Sequence, residues 1–304
     1  MSAGGNSPSA KVNAIAGIPF FGTPLPVQAY LGAQPIVGGP TTGNTWFVSS
    51  THASRADDPS HGDDPRRPFS TIEYAIGNCV ANNGDIIYVM PGHTEPVAAT
   101  DLNVDVAGIQ IIGLGSGASR PTINLTATGS TIAVSVASVT FYNLLITGGV
   151  DNITVVLTLT GADFSVLNCG YRDVTGQCAQ FMTASAAASR CLVNGFTYEG
   201  DLANAGTTRV FNLTGTDRFT LVNFIAEGDF STGFLDCTTT ASTNLHVYRG
   251  RFRTASTADI FAVDTITAST GAFGPELYLR VQENAANITE AITGATFVQH
   301  LPIS

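Results

Sequence analysis

The chain has 304 residues, with 13 Lys and Arg against 23 Asp and Glu and a formal net charge of −10. Charged residues make up 12% of it, about half the usual share of roughly 25%; so acidic a chain, with Lys11 as its single lysine, is unsuited to gripping a phosphate backbone, and nucleic acid is excluded from the expected partners. Its 17 Phe and 8 Tyr supply a core and exclude the disordered class, which keeps charge high and aromatics few.

Residues 1–44 are rich in Gly, Ser, Pro and Ala, and Lys11 is their only charge. Pro19, Pro24, Pro26 and Pro35 fix φ and remove amide donors, so the segment is expected to be extended. The same prolines interrupt its apolar run, which leaves neither a membrane span nor the continuous core of a secretory signal. Ile15, Ile18, Phe20, Phe21, Leu25, Val27, Tyr30 and Leu31 make this arm apolar without letting it pack on itself. They are the expected anchoring residues for a partner surface, with an arm folded back on its own domain as the alternative.

Residues 45–50 read as a strand, followed by a polar loop over 52–68. Asp57, Asp58, Asp63 and Asp64 in that loop offer hard oxygen ligands suited to Ca²⁺. They lack the EF-hand register, and Arg55, Arg66 and Arg67 stand by to neutralise them, so an ion-paired loop is preferred and no metal or cofactor is expected. Ser70 with Glu73 three residues on forms a capping box and predicts a helix over 70–81, its apolar face made of Ile72, Ala75, Ile76, Cys79 and Val80. Asn82, Asn83, Gly84 and Asp85 end the helix, and residues 86–90 follow as a buried strand stopped by Pro91 and Gly92.

From about residue 104 the pattern repeats. Short apolar strands recur over 109–113, 139–146, 164–169, 191–196, 219–224 and 245–250, each with a turn residue and a further short strand. The turn residues Gly113, Asn143, Asn168, Asn194, Asn223 and Arg249 are spaced by 30, 25, 26, 29 and 26. A second strand series runs over 131–136, 154–159, 180–184, 209–213, 233–237 and 260–264. A period this long, built from Thr, Val, Gly, Asn and Ser, fits neither leucine-rich nor helical repeats. β-branched residues suit strands, and Gly and Asn suit left-handed corners between them. The expected fold is all-β: a right-handed parallel β-helix, or solenoid, with a short N-terminal capping helix and an extended N-terminal arm. The expected organisation is 1–44 arm, 45–103 cap and first coil, 104–274 coils, and 275–304 C-terminal cap with a short helix over 285–291. Stacked turn asparagines are expected to bond along the column. Cys79, Cys169, Cys178, Cys191 and Cys237 form no CxxC pair and are expected to be buried free thiols in a reducing compartment.

The opening resembles a known family. Residues 46–50, the Asp-rich loop, Pro68 to Ile76, and the run from Gly84 to Glu95 that contains Pro91, Gly92, His93, Thr94 and Glu95 are similar to the start of right-handed parallel β-helix proteins of the pectate-lyase-like superfamily. That superfamily holds lyases, hydrolases, tailspikes and inert structural proteins, so the likeness implies fold before function. The low charge and the apolar arm also resemble head-decoration and spike proteins of tailed bacteriophages. This implies attachment through the arm, a projecting β-helix and a trimer.

Catalysis on such a fold needs carboxylates aligned on successive coils, for calcium-assisted proton abstraction or for glycoside hydrolysis. Asp173, Glu199 and Asp229 are the best candidates for one stacked edge, with Arg172 near; a solvated acidic edge is the competing and preferred reading. His52, His61, His93, His246 and His300 are scattered, and no HExxH or Ser-His-Asp framework occurs. The expected function is therefore a non-enzymatic virion protein, a phage capsid decoration or cement protein. It would be made in the host cytoplasm and held on the capsid surface by the major capsid protein and by like copies, with a surface glycan as a further partner and no membrane. The alternative is a tailspike-type protein that binds or degrades polysaccharide as a lyase or hydrolase.

Overall fold

The computed structural model describes residues 41–98, 102–174, 178–201, 207–254, 261–263, 269–273, 277–281, 292–293 and 296–299. The eight anchoring residues expected in the arm, and the helix expected over 285–291, lie outside them.

Strands of three to five residues, alternating apolar with small polar side chains, repeat at each turn of the chain and pair only with their counterparts one turn away. The first ladder stacks Thr45–Val48, Ile86–Val89, Gln110–Gly113, Thr140–Tyr142, Ser165–Leu167 and Leu192–Asn194, all parallel. The second stacks Thr94–Val97, Thr122–Leu125, Leu145–Gly148, Gly170–Asp173 and Thr197–Glu199. Above them the long strands Thr220–Gly228 and Leu245–Thr254 serve both ladders. The third ladder has eight strands, from Leu102–Val104 to Ile292–Thr293. Each coil thus crosses to the next in parallel, and the chain is a right-handed parallel β-helix. Leu277–Val281 and Thr296–Gln299 also pair in parallel, so coil pairing runs on into the segment expected to close the column.

The corners are single left-handed residues. Asn143, Asn168, Asn223 and Arg249 have φ between 51° and 54°. Two positions depart from the expected set: Gly113 ends its strand and the left-handed residue is Gly115 with φ 102°, and Asn194 ends its strand opposite Leu167 and the corner falls on Gly195 with φ 71°. Part of the expected amide ladder forms, with Asn143 Nδ2 donating to Gly113 O at 2.8 Å and Asn223 Nδ2 to Asn194 Oδ1 at 2.9 Å. A second left-handed corner precedes the first ladder in each coil, at Gly108, Ser138, Asp163, Arg190, Arg218 and Asn244.

Side chains pointing inward form columns of their own. Ile87, Ile111, Phe141, Val166, Val193, Leu221 and Val247 are in register and buried. The lower coils are filled by Ile, Leu and Val, whereas Phe181, Phe196, Phe211, Phe219, Phe224, Phe234 and Phe252 interlock in the upper ones. The four thiols Cys169, Cys178, Cys191 and Cys237 are buried and Cys79 half-buried, and none of the five is joined in a disulfide.

The capping helix is shorter than expected, Ile72–Gly77, and its N-cap is Thr71, whose hydroxyl accepts from Tyr74 N–H at 3.2 Å. Ser70 stands one residue before the cap, and Asp57 takes the N–H groups of both Ser70 and Thr71. Glu73 does not close a capping box either: it accepts from Asn103 N–H. After Gly77 the chain tightens, and buried Asp85 captures the Val80 N–H at 2.7 Å. The same carboxylate takes the Asn44 N–H, tying residues 41–44 to the first coil.

Candidate functional site

Two charged columns run side by side where the second ladder meets the next corner. In the first, Arg172, Glu199, Glu227, Arg253 and Arg280 occupy successive coils in register. Adjacent coils lie about 4.8 Å apart, so each side chain is within reach of its neighbour. Arg172 Nε donates to Glu199, and Arg253 Nη1 donates to Glu227. The two glutamates therefore turn away from each other, each toward an arginine. Arg172, whose guanidinium bonds to Glu199, is held more firmly protonated by it.

The second column is acidic and staggered: Asp173 follows Arg172 by one residue, whereas Asp201 and Asp229 follow Glu199 and Glu227 by two, after Gly200 and Gly228. Asp173 is half-buried; its Oδ1 accepts the Tyr171 hydroxyl at 2.7 Å and the Cys178 N–H at 3.3 Å. Its Oδ2 is sealed from water and makes no hydrogen bond. Burial pushes the carboxyl up to about 6, against the pull of the Tyr171 hydroxyl and of the backbone amides of Cys178 and Asp201; the Asp201 charge adds a smaller push upward. Asp229, whose N–H donates to Asp201 O at 3.1 Å, is raised by burial and by the same neighbour.

A rigid floor holds this edge. Tyr171 and Tyr198 stack with centroids 5.3 Å apart, and the Tyr198 hydroxyl meets Thr207 Oγ1 at 3.0 Å. Burial raises both phenols and pushes the Cys178 thiol up to about 12, so none of the three is a ready nucleophile. Glycine is needed at two places: a Cβ on Gly148 would stand 2.6 Å from the Tyr171 hydroxyl, and one on Gly200 would stand 2.7 Å from the Tyr198 ring. A carboxyl that changes state near neutrality, beside further carboxylates, can exchange protons with a bound group.

The expected edge of Asp173, Glu199 and Asp229 is therefore divided. Asp173 and Asp229 belong to the acidic corner, whereas Glu199 stands one register position earlier and is paired with Arg172. Asp201 was not expected, although 173, 201 and 229 are equally spaced by 28 residues. The Asp-rich loop uses its acids one at a time. Asp57 binds the Ser70 and Thr71 N–H groups, Asp58 binds Ser60 and His61, Asp64 binds Arg66 N–H, and Asp63 lies 3.9 Å from Arg67. The Ser60 hydroxyl, with His61, holds Asp58 down at about 2. Among the described residues no group of three or more His, Cys, Asp or Glu is arranged to hold a metal ion.

No family model matches the chain, and no curated protein matches it. Among solved structures it is similar to a rhamnogalacturonan lyase, with a TM-score of 0.53 and 14% identity over 85% of this chain and 67% of that one. The likeness is one of fold, and the class it defines is the parallel β-helix.

Proposed function

We propose that the chain is a non-enzymatic structural protein of a virion, a phage capsid decoration or cement protein. It attaches to the major capsid protein through its N-terminal arm, projects its β-helix from the capsid surface, and packs with like copies as a trimer. The observation that carries this reading is the paired column, in which Arg172 holds Glu199 and Arg253 holds Glu227. Outward carboxylates spent on neighbouring coils serve cohesion of the column. The apolar arm and the low charge, which resemble those of phage decoration and spike proteins, support the same reading. Deleting residues 1–40 while keeping Asn44 on Asp85 tests it. The expected result is a chain with an intact β-sheet signal that no longer binds capsids; a truncated chain that still decorates them overturns the proposal.

A second reading rests on the acidic corner. Asp173, raised to about 6 beside Asp201 and Asp229, is a proton donor of the kind a polysaccharide lyase or hydrolase uses. Its signature is polysaccharide turnover that depends on Asp173.

A further inference from the structure

Arginines of the column find acids within the chain. Arg172 is held by Glu199, Arg190 by Asp163, Arg209 by Asp236, Arg218 by Asp217 and Arg253 by Glu227. Arg251, on the outer face of the second ladder, is different: it is exposed and makes no ion pair among the described residues. Its counterpart one coil below is Ile225, a large apolar residue left 49% exposed. Neither side chain serves the column. Together they have the composition of a protein contact, where apolar surface and arginine are concentrated at the centre.

An acid without a counter-ion stands on the same edge. Asp229 directly follows the strand that carries Ile225, one coil below Arg251, and is partly exposed. It too makes no ion pair among the described residues, so the chain does not bring Arg251 and Asp229 together. Val174, beside Asp173 two coils lower at the same corner, is 63% exposed. The edge thus presents a positive, apolar patch on the sheet face and an acidic, apolar one at the corner.

We propose that this edge is the contact between like copies: the Ile225 and Arg251 patch of one copy docks on the acidic corner of the next, where Arg251 pairs with Asp229. The inference rests on the trimer proposed above and names its contact. A ring of three joins two different patches of each chain, so every copy must present both halves. Copies related by an axis along the column keep each coil level with its counterpart. The step from Asp229 up to Arg251 is then about 4.8 Å along the column, which an arginine side chain spans. A net charge of −10 makes the approach of two copies unfavourable in general, and an arginine set against an acid selects this register over others. Arg253 and Glu227 alongside are spent on each other and leave the pairing to Arg251.

Sedimentation of the full chain and two charge variants tests the contact. The unaltered chain is expected to form trimers that loosen as salt rises from about 0.05 M to about 0.5 M, because the pair lies at a solvated edge. Arg251→Glu sets acid against acid and is expected to raise the dissociation constant about tenfold. Its circular dichroism should be unchanged, since the side chain is exposed. Adding Asp229→Arg to the same chain reverses the pair and is expected to restore assembly. A monomeric unaltered chain overturns both the contact and the proposed trimer. A trimer indifferent to Arg251→Glu, or a double variant that assembles no better than Arg251→Glu alone, overturns the contact and leaves the trimer and the arm standing.

Discussion

The two charged columns lie along one edge of the same coils, yet they do opposite things. In one, Arg172 is paired with Glu199 and Arg253 with Glu227 on adjoining coils. In the other, three acids follow one another over a floor of buried tyrosines, and Asp173 rises to about 6. A solenoid places any residue type above its like wherever the interval is kept, so pairing or crowding of charge is decided by which residues share a register position. Opposite charges in register hold the coils together, whereas an acid set over buried rings has its charged form disfavoured by desolvation.

The largest effect expected from breaking the comparison lies under the acidic corner. Tyr198→Ala removes a fully buried, stacked ring and should cost about 3–5 kcal/mol in urea unfolding. A loss under about 1 kcal/mol would mean the floor is not packed as described.

An intermediate effect comes from removing the buried charge. Asp173 is raised in the folded chain from 3.8 to about 6. Its contribution to stability is therefore present at pH values below the ordinary carboxylate range and is lost as pH rises through about 6. Asp173→Asn, which keeps an acceptor for Tyr171, should exceed the unaltered protein by about 1–2 kcal/mol at neutral pH, with the gap closing toward about pH 4. An Asp173→Asn advantage that is the same at both ends of that range would contradict the burial of the Asp173 charge.

The smallest effect belongs to the paired column. Arg172 and Glu199 are each about half exposed, so a double-mutant cycle to alanine should return a coupling of about 0.2–1 kcal/mol that shrinks with added salt. A coupling insensitive to salt would place the pair in a drier setting than its exposure allows.

The ladders were legible because β-branched runs and corner asparagines recur, and the chain stacks them as the spacing implies. Gly195 shows the limit of that count. Three residues fill its strand, so the corner falls on the following residue, and glycine adopts the left-handed form more readily than Asn194. The helix end was hidden because Asp85, from outside the helix, captures Val80. Asp201 was hidden because its place depends on where each strand stops, which the apolar pattern does not mark. The bonds that buried His93 and Glu95 accept from the Ser50 and Ile72 N–H groups were invisible for a similar reason. Those partners lie 43 and 23 positions away along the chain, and only the wound fold brings them together.

The central claim is that outward carboxylates serve cohesion of the column and not turnover. Incubating the full chain with acidic and neutral bacterial polysaccharides, while following new reducing ends and unsaturated sugars, tests it directly. The account predicts no product above that formed by Asp173→Asn and Asp229→Asn chains. Product released by the unaltered protein and lost in either variant would contradict it.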